Sequence, residues 1–255
     1  MSQAPEASVV VACHKPYAMT IAREAKRRAD VESGVAGRRG CWAAWLADME
    51  RECGLPARAL FQIGRLDKAT TGLLLATNDG DLAYGLTRRG ACAKRYVARV
   101  GARPTDDRVS RLRAGVALAG DDFRDGPVVA EAVAVLETRV KRVKIDRGGD
   151  AATVEKVDAD VAVTVRCGQK RVVRKLLAAV GLPVLALRRV AIGDLVLGAG
   201  PLADLPQSAH RRLDAASVEG LWAAIGGRAA VARWKAEDRA ARDDGPGGGG
   251  ALVDA

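Results

Sequence analysis

The chain has 255 residues, 49% of them hydrophobic and 28% charged, enough for one sizeable core or one domain of two lobes sharing a cleft. No apolar run approaches the roughly 18–20 residues that cross a bilayer, and the opening MSQAPEASVVVACHKP has neither a basic leader nor a signal-length apolar run, so neither a membrane protein nor a secreted one is expected. A net charge of +10 draws polyanions, which means nucleic acid or an acidic membrane surface.

Residues 1–7 read as an N-terminal extension. Ser8 to Cys13 is a β-branched run stopped by Lys15-Pro16, as a buried strand would be. Arg23 to Arg39 is basic and aperiodic, a surface loop or weak helix. Trp42, Trp45, Leu46 and Met49 recur at helical spacing, so Cys41 to Glu52 is an amphipathic helix ended by Gly54 and Pro56. Two apolar segments follow, Leu60 to Leu66 and Gly72 to Thr77, split by the polar stretch Asp67 to Thr71. Asn78-Asp79-Gly80 turns the chain, and Asp81 is expected to cap a short helix through Thr87.

Lys94 to Val100 alternates as a half-buried strand, and Thr105 caps a helix carrying Val109 and Leu112 that Gly115 closes. Val128 to Leu136 and Asp160 to Arg166 are strands, with an exposed polar hairpin, Lys141 to Lys156, between them. Arg171 to Val180 is helical, with Val172, Val173, Leu176 and Leu177 inward and Gly181 beyond its end. Strands at 183–190 and 195–197 precede one charged helix, Ser217 to Arg242, and a Gly-rich flexible tail, 243–255. Strands that mostly do not alternate with helices argue for an α+β fold around a mixed sheet.

Three segments carry chemistry. In Gly64-Arg65-Leu66-Asp67 a carboxylate sits where an apolar segment gives way to a loop, at the lip of a core, with a cation two residues earlier. By itself such an Asp is as readily a cap or a solvated residue. In Lys94-Arg95-Tyr96 the tyrosine reads either as core or as a stacking plate for a base. In Gly168-Gln169-Lys170-Arg171-Val172-Val173-Arg174-Lys175, cations gather on one face at a helix start, which is either a solvated face or an anion-binding one. Trp222 and Trp234 are expected to pack, and Cys13 and His14 to be structural. The five cysteines (Cys13, Cys41, Cys53, Cys92, Cys167) form no CxxC pair and accompany only His14 and His210, so no metal site and reduced thiols in a cytoplasmic setting are expected, with organellar targeting left open.

Together these segments resemble the RsuA/RluB/RluE/RluF type of pseudouridine synthase. Gly64 to Gly80 is similar to the family's GRLD-x-x-T-x-G-LLL-x-TNDG block, Lys94 to Tyr96 to its K-x-Y strand, and Gly168 to Leu176, less closely, to G-R-N-R-Q-V-R-R-M. Lys15-Pro16-Tyr17, Gly126-Pro127 and Arg189 to Gly193 fit as well. Lys170 and Val172 depart from the family's asparagine and glutamine. The short stretch before Lys15 leaves no room for an S4 domain, so the layout is nearest to RluE-like members.

The resemblance implies a pseudouridine synthase fold, with a mixed, mainly antiparallel sheet, flanking helices and a catalytic cleft. The catalytic domain would span 8–214, with inserts near 18–58 and 141–156, followed by a C-terminal helix, 215–242. Asp67 would be the catalytic carboxylate, Tyr96 would stack on the target uracil, and Arg174 would pair with Asp67. Arg65, Lys94, Arg171, Lys170 and Lys15 would contact substrate. The chemistry needs no cofactor and no metal. The partner would be RNA, most of all ribosomal RNA or a ribosome precursor, met by a monomer with no membrane contact. Two other readings stay open: an RNA-binding or ribosome-assembly factor of the same fold without catalysis, and a hydrolase pairing Asp67 with a second carboxylate.

Overall fold

The computed structural model describes residues 8–21, 42–124, 126–147 and 150–243. Strand β1 (Val10–Lys15) leads to helix α1 (Trp42–Glu52), then to β2 (Phe61–Ile63), β3 (Thr70–Thr77), α2 (Gly80–Thr87), β4 (Lys94–Val100) and α3 (Asp106–Ala114). The long strands β5 (Ala132–Arg147) and β6 (Asp150–Val165) follow, then α4 (Val172–Ala179), β7 (Val184–Ile192), β8 (Leu195–Val196), β9 (His210–Arg212), α5 (Ala215–Ala223) and α6 (Gly227–Asp243). The strands form one sheet in the order β5-β6-β4-β7-β3-β1-β9, with β2 on β3 and β8 on β7. Every pairing is antiparallel except β3 with β7, so the sheet is mixed and mainly antiparallel, as expected.

The unbroken apolar runs of β1 and β3 have one cause: helices cover both faces of the sheet there. Val11, Leu74 and Ala76 join a cluster with Trp42, Met49, Tyr96 and Leu176. Val10, Leu73 and Leu75 face the other way, onto Leu82, Leu86, Trp222 and Val231. Cys13 is buried among the first set, and burial pushes its thiol far above its usual range.

Three expectations are corrected. The polar segment 141–156 forms the expected hairpin, with Lys141 paired to Lys156, but the strands on either side do not stop at residues 136 and 160: they run into it as the 16-residue β5 and β6. Its apolar alternation lapses, yet cross-strand charges stand in register: Arg139 faces Asp158, with Nη1 3.2 Å from its carboxylate, and Arg142 faces Glu155 at 3.7 Å. The single C-terminal helix is two, because Gly226 (φ +80) and Gly227 (φ +81) adopt backbone that ends one helix and restarts the next. Asp79, not Asp81, caps α2, its carboxylate accepting from the amides of Asp81 and Leu82. Thr105 caps α3 as expected. The extension 1–7, the basic segment 23–39 and the tail from 244 onward lie outside the described residues.

The α6 helix is fastened to α2. Asp238 accepts from Tyr84 Oη and from Arg88 Nη1 (2.8 Å), the Arg88 guanidinium lies 5.4 Å from the Trp234 ring, and Lys235 meets Asp81 at 2.6 Å. Trp222 is buried, as expected of a packing residue.

Candidate active site

Asp67 stands in the loop between β2 and β3. Gly64 turns the chain out of β2 with φ +67, Leu66 is buried, and the Asp67 carbonyl accepts from the Thr70 amide at 2.9 Å as β3 begins. Beneath this loop lies Lys15, wholly buried. Its Nζ donates to the carbonyls of Pro16 (2.9 Å), Lys68 (3.3 Å) and Thr70 (2.8 Å). Burial pushes its ammonium down to about 8, against the pull of the Asp67 charge. The expectation that Lys15 meets substrate is thereby corrected. Three backbone acceptors have replaced the water it lost, and the side chain serves to hold the loop.

The Asp67 side chain is 32% exposed and looks onto a cavity of about 530 Å³. Across from it is the start of α4. Arg171 occupies the N-cap in left-handed backbone (φ +58, ψ +25), and its Nη1 lies 3.6 Å from Asp67 Oδ2. That separation is an ion-pair contact rather than a hydrogen bond. Arg174 was expected to make this pair. Instead its Nη2 donates to Ala69 O (2.9 Å) and its Nη1 to Val184 O (3.4 Å). Arg174 sits one turn further along α4, half-buried, and ties the helix both to the Asp67 loop and to β7. Burial and the neighbouring Arg171 lower its pKa, with the Asp67 and Tyr17 charges acting the other way.

Tyr96 lies in the cavity wall and is 8% exposed. Arg65, Lys68, Lys170 and Arg171 are exposed cations lining the same cavity, and Lys94 lines it as a buried one. Six of the expected residues (Asp67, Tyr96, Arg65, Lys94, Lys170, Arg171) therefore converge on one cleft, while Arg174 and Lys15 brace the loop behind it.

Arg189 had no role in the sequence reading beyond its place in the resemblance. It also lines the cavity, only 3% exposed, with Nε donating to Leu73 O at 2.7 Å and Nη2 without any hydrogen-bond partner. Thr70 Oγ1 is likewise buried and unpartnered at the cavity. Nothing in residue type or spacing sets an arginine inside a strand apart from an exposed one.

Among the described residues the lining contains one carboxylate, Asp67, against six cations: Arg65, Lys68, Lys94, Lys170, Arg171 and Arg189. A hydrolase that pairs Asp67 with a second carboxylate finds no such partner among the described residues of this lining. Among the described residues there is no group of three potential metal ligands, and no helix is long and apolar enough to cross a membrane.

Among the described residues, one acid in a cation-rimmed cleft with an aromatic wall suits an anionic, base-bearing substrate. The sequence profile of the RNA pseudouridylate synthase family matches residues 9–179. The ribosomal large subunit pseudouridine synthase E of Xanthomonas axonopodis pv. citri is 39% identical over 151 residues, 58% of this chain and 75% of that protein. The protein of the same name from Vibrio parahaemolyticus is 30% identical over 156 residues, 56% of this chain and 58% of that one. A solved structure of a pseudouridylate synthase superposes with a TM-score of 0.56 over 85% of this chain and 74% of that one, at 22% identity, a likeness of fold. The chain belongs to the RNA pseudouridylate synthase family and is an enzyme of its RluE-like kind.

Proposed function

We propose that the protein converts one uridine of large-subunit ribosomal RNA to pseudouridine, with Asp67 as the reacting carboxylate. The observation that carries this reading is Asp67 itself: the one acid among the described residues of the cavity, fixed by its loop and facing Arg171 at 3.6 Å. The ribosomal substrate is supported by the names of the Xanthomonas and Vibrio relatives.

The reaction breaks the N1–C1′ bond, turns the base and rejoins it through C5. The target nucleotide must first leave its stack, at a cost of a few kcal/mol. Stacking on an aromatic ring returns about 1–3 kcal/mol per base, and Tyr96 is the aromatic side chain of the cavity wall. The exposed cations Arg65, Lys68 and Lys170 suit the flanking phosphates, which position the RNA without reading its sequence. Asp67 then acts at the sugar, either by attack at C1′ or by taking a proton that leads to a glycal.

The test compares Asp67→Asn with the unmutated protein in a strain lacking the native copy, with pseudouridines mapped across all RNA by carbodiimide primer extension. The expected outcome is the loss of one or a few sites in Asp67→Asn and their return with the unmutated protein. In vitro the same substitution lowers the rate by about 10³-fold or more and leaves RNA binding intact. If no site depends on Asp67 while RNA is still bound, the protein is a binding or assembly factor instead.

A further inference from the structure

The floor of the cavity holds two positive charges that the proposed roles of Asp67 and Tyr96 leave unused. Arg189 is 3% exposed and Lys94 is 8% exposed, and both line the cavity beside Tyr96. Among the described residues neither forms an ion pair. The hydrogen bonds of Lys94 and Arg189 that face protein go to backbone carbonyls, Cys92 O (3.2 Å) and Leu73 O (2.7 Å), and Arg189 Nη2 is orphaned. A buried donor left unmade costs about 1–3 kcal/mol, and a buried charge without a counter-charge costs more. Burial accordingly lowers the Lys94 pKa, and Arg189 lowers it further.

The Arg189 backbone is held from both sides. A β-bulge in β7 skips Val190, so that Arg95 pairs with Ala191 and Tyr96 with Arg189. On the other side Arg189 pairs with Gly72, in the parallel seam to β3. Its backbone is thus set between β3, which follows the Asp67 loop, and β4, which carries Tyr96, and its guanidinium is anchored through Nε to Leu73 O.

We infer that Lys94 and Arg189 form an anion-stabilising floor of the base pocket, binding the carbonyl oxygens of the uracil and holding the negative charge the base acquires. This rests on the reading of the protein as a uridine isomerase. When the N1–C1′ bond breaks, its electron pair leaves with the base and spreads over N1, O2 and O4, while C1′ becomes electron-poor. Re-addition through C5 returns a pair to C1′, the C5 proton departs, and N1 takes up a proton, so nothing is gained or lost overall. A neutral uracil needs no buried cation, whereas a uracil anion does. Fixed charges aimed at where charge develops act without reorganisation, and in a dry site they act strongly.

The experiment uses full-length protein with Arg189→Gln and Lys94→Gln. Each keeps a donor for its backbone carbonyl and removes the charge, and Lys94→Gln carries the test if Arg189→Gln fails to fold. The first readout is single-turnover pseudouridine formation on a transcript of large-subunit ribosomal RNA. The second is equilibrium binding of barbiturate, a uracil-shaped anion at neutral pH, against binding of neutral uracil. The expected result is an RNA affinity within about twofold of the unmutated protein and a rate about 10²–10³-fold lower. A barbiturate-over-uracil preference of about tenfold or more in the unmutated protein should vanish in both variants and persist in Asp67→Asn. An unaltered rate, a preference that survives both substitutions, or no barbiturate preference in the unmutated protein overturns the inference. If the unmutated protein forms no pseudouridine at all, the functional reading fails and the inference falls with it.

Discussion

Arg171 shows how one residue can be strained and useful at once. Its left-handed backbone costs a non-glycine residue roughly 1 kcal/mol, and its guanidinium reaches Asp67 only from that position at the head of α4. The ion pair it makes is partly solvated on both sides, so it adds less than about 1 kcal/mol to stability. Arg171→Gly relieves the first effect and removes the second, and the two offset. Calorimetry should therefore find the melting temperature little changed, while single-turnover conversion falls about tenfold or more. A collapse in stability would mark Arg171 as a packing residue instead. The spacing of cations in the sequence could not rank Arg171 above Arg174 as the partner of Asp67. Which guanidinium points at the acid depends on the φ of one residue and on whether Ala69 O and Val184 O claim the other.

Among elements, the seam between β3 and β7 matters most to the site. Gly72 has φ +106, and a Cβ added there would lie 2.2 Å from the Arg189 carbonyl oxygen. Gly72→Ala should therefore part the seam and lower stability by about 3 kcal/mol, read as the shift in the urea midpoint. Gly80→Ala, at the start of α2 where no atom lies within 4 Å of the added carbon, should leave it unchanged or raise it slightly. The run Leu73-Leu74-Leu75 was legible as an apolar segment because both its faces are buried. The α1 helix was legible because Trp42, Trp45, Leu46 and Met49 are its buried stripe. The outer halves of β5 and β6 were legible as a hairpin but not as continuations of the flanking strands, since cross-strand charge pairs take the place of apolar alternation there. The break between α5 and α6 was missed because helical periodicity resumes on both sides of Gly226-Gly227. Arg189 was illegible for a related reason: its burial follows from a bulge and a cavity made by segments distant in sequence.

For the molecule as a whole, a net charge of +10 sets how RNA is met. Each phosphate contact releases counterions, so affinity falls as a power of salt concentration. Lys68→Ala and Lys170→Ala, both at exposed cations of the cleft rim, should each lower the slope of log affinity against log salt by about 0.7–0.9. Filter binding across a salt series measures this. Conversion at saturating RNA should change little, and a slope that does not move would place the phosphate contacts elsewhere on the surface.

The parallel seam has a further consequence, in time rather than in space. Thr70 meets Leu187 and Gly72 meets Arg189 across an excursion that takes in α2, β4, α3, β5, β6 and α4. Contacts of such long range close late, after the entropy of a large loop has been overcome. On the ribosome, a growing chain therefore displays the Asp67 loop long before Arg171 or β7 exists to meet it. The cleft is assembled only once residue 189 has emerged, so Asp67 meets its cationic surroundings in a single late step.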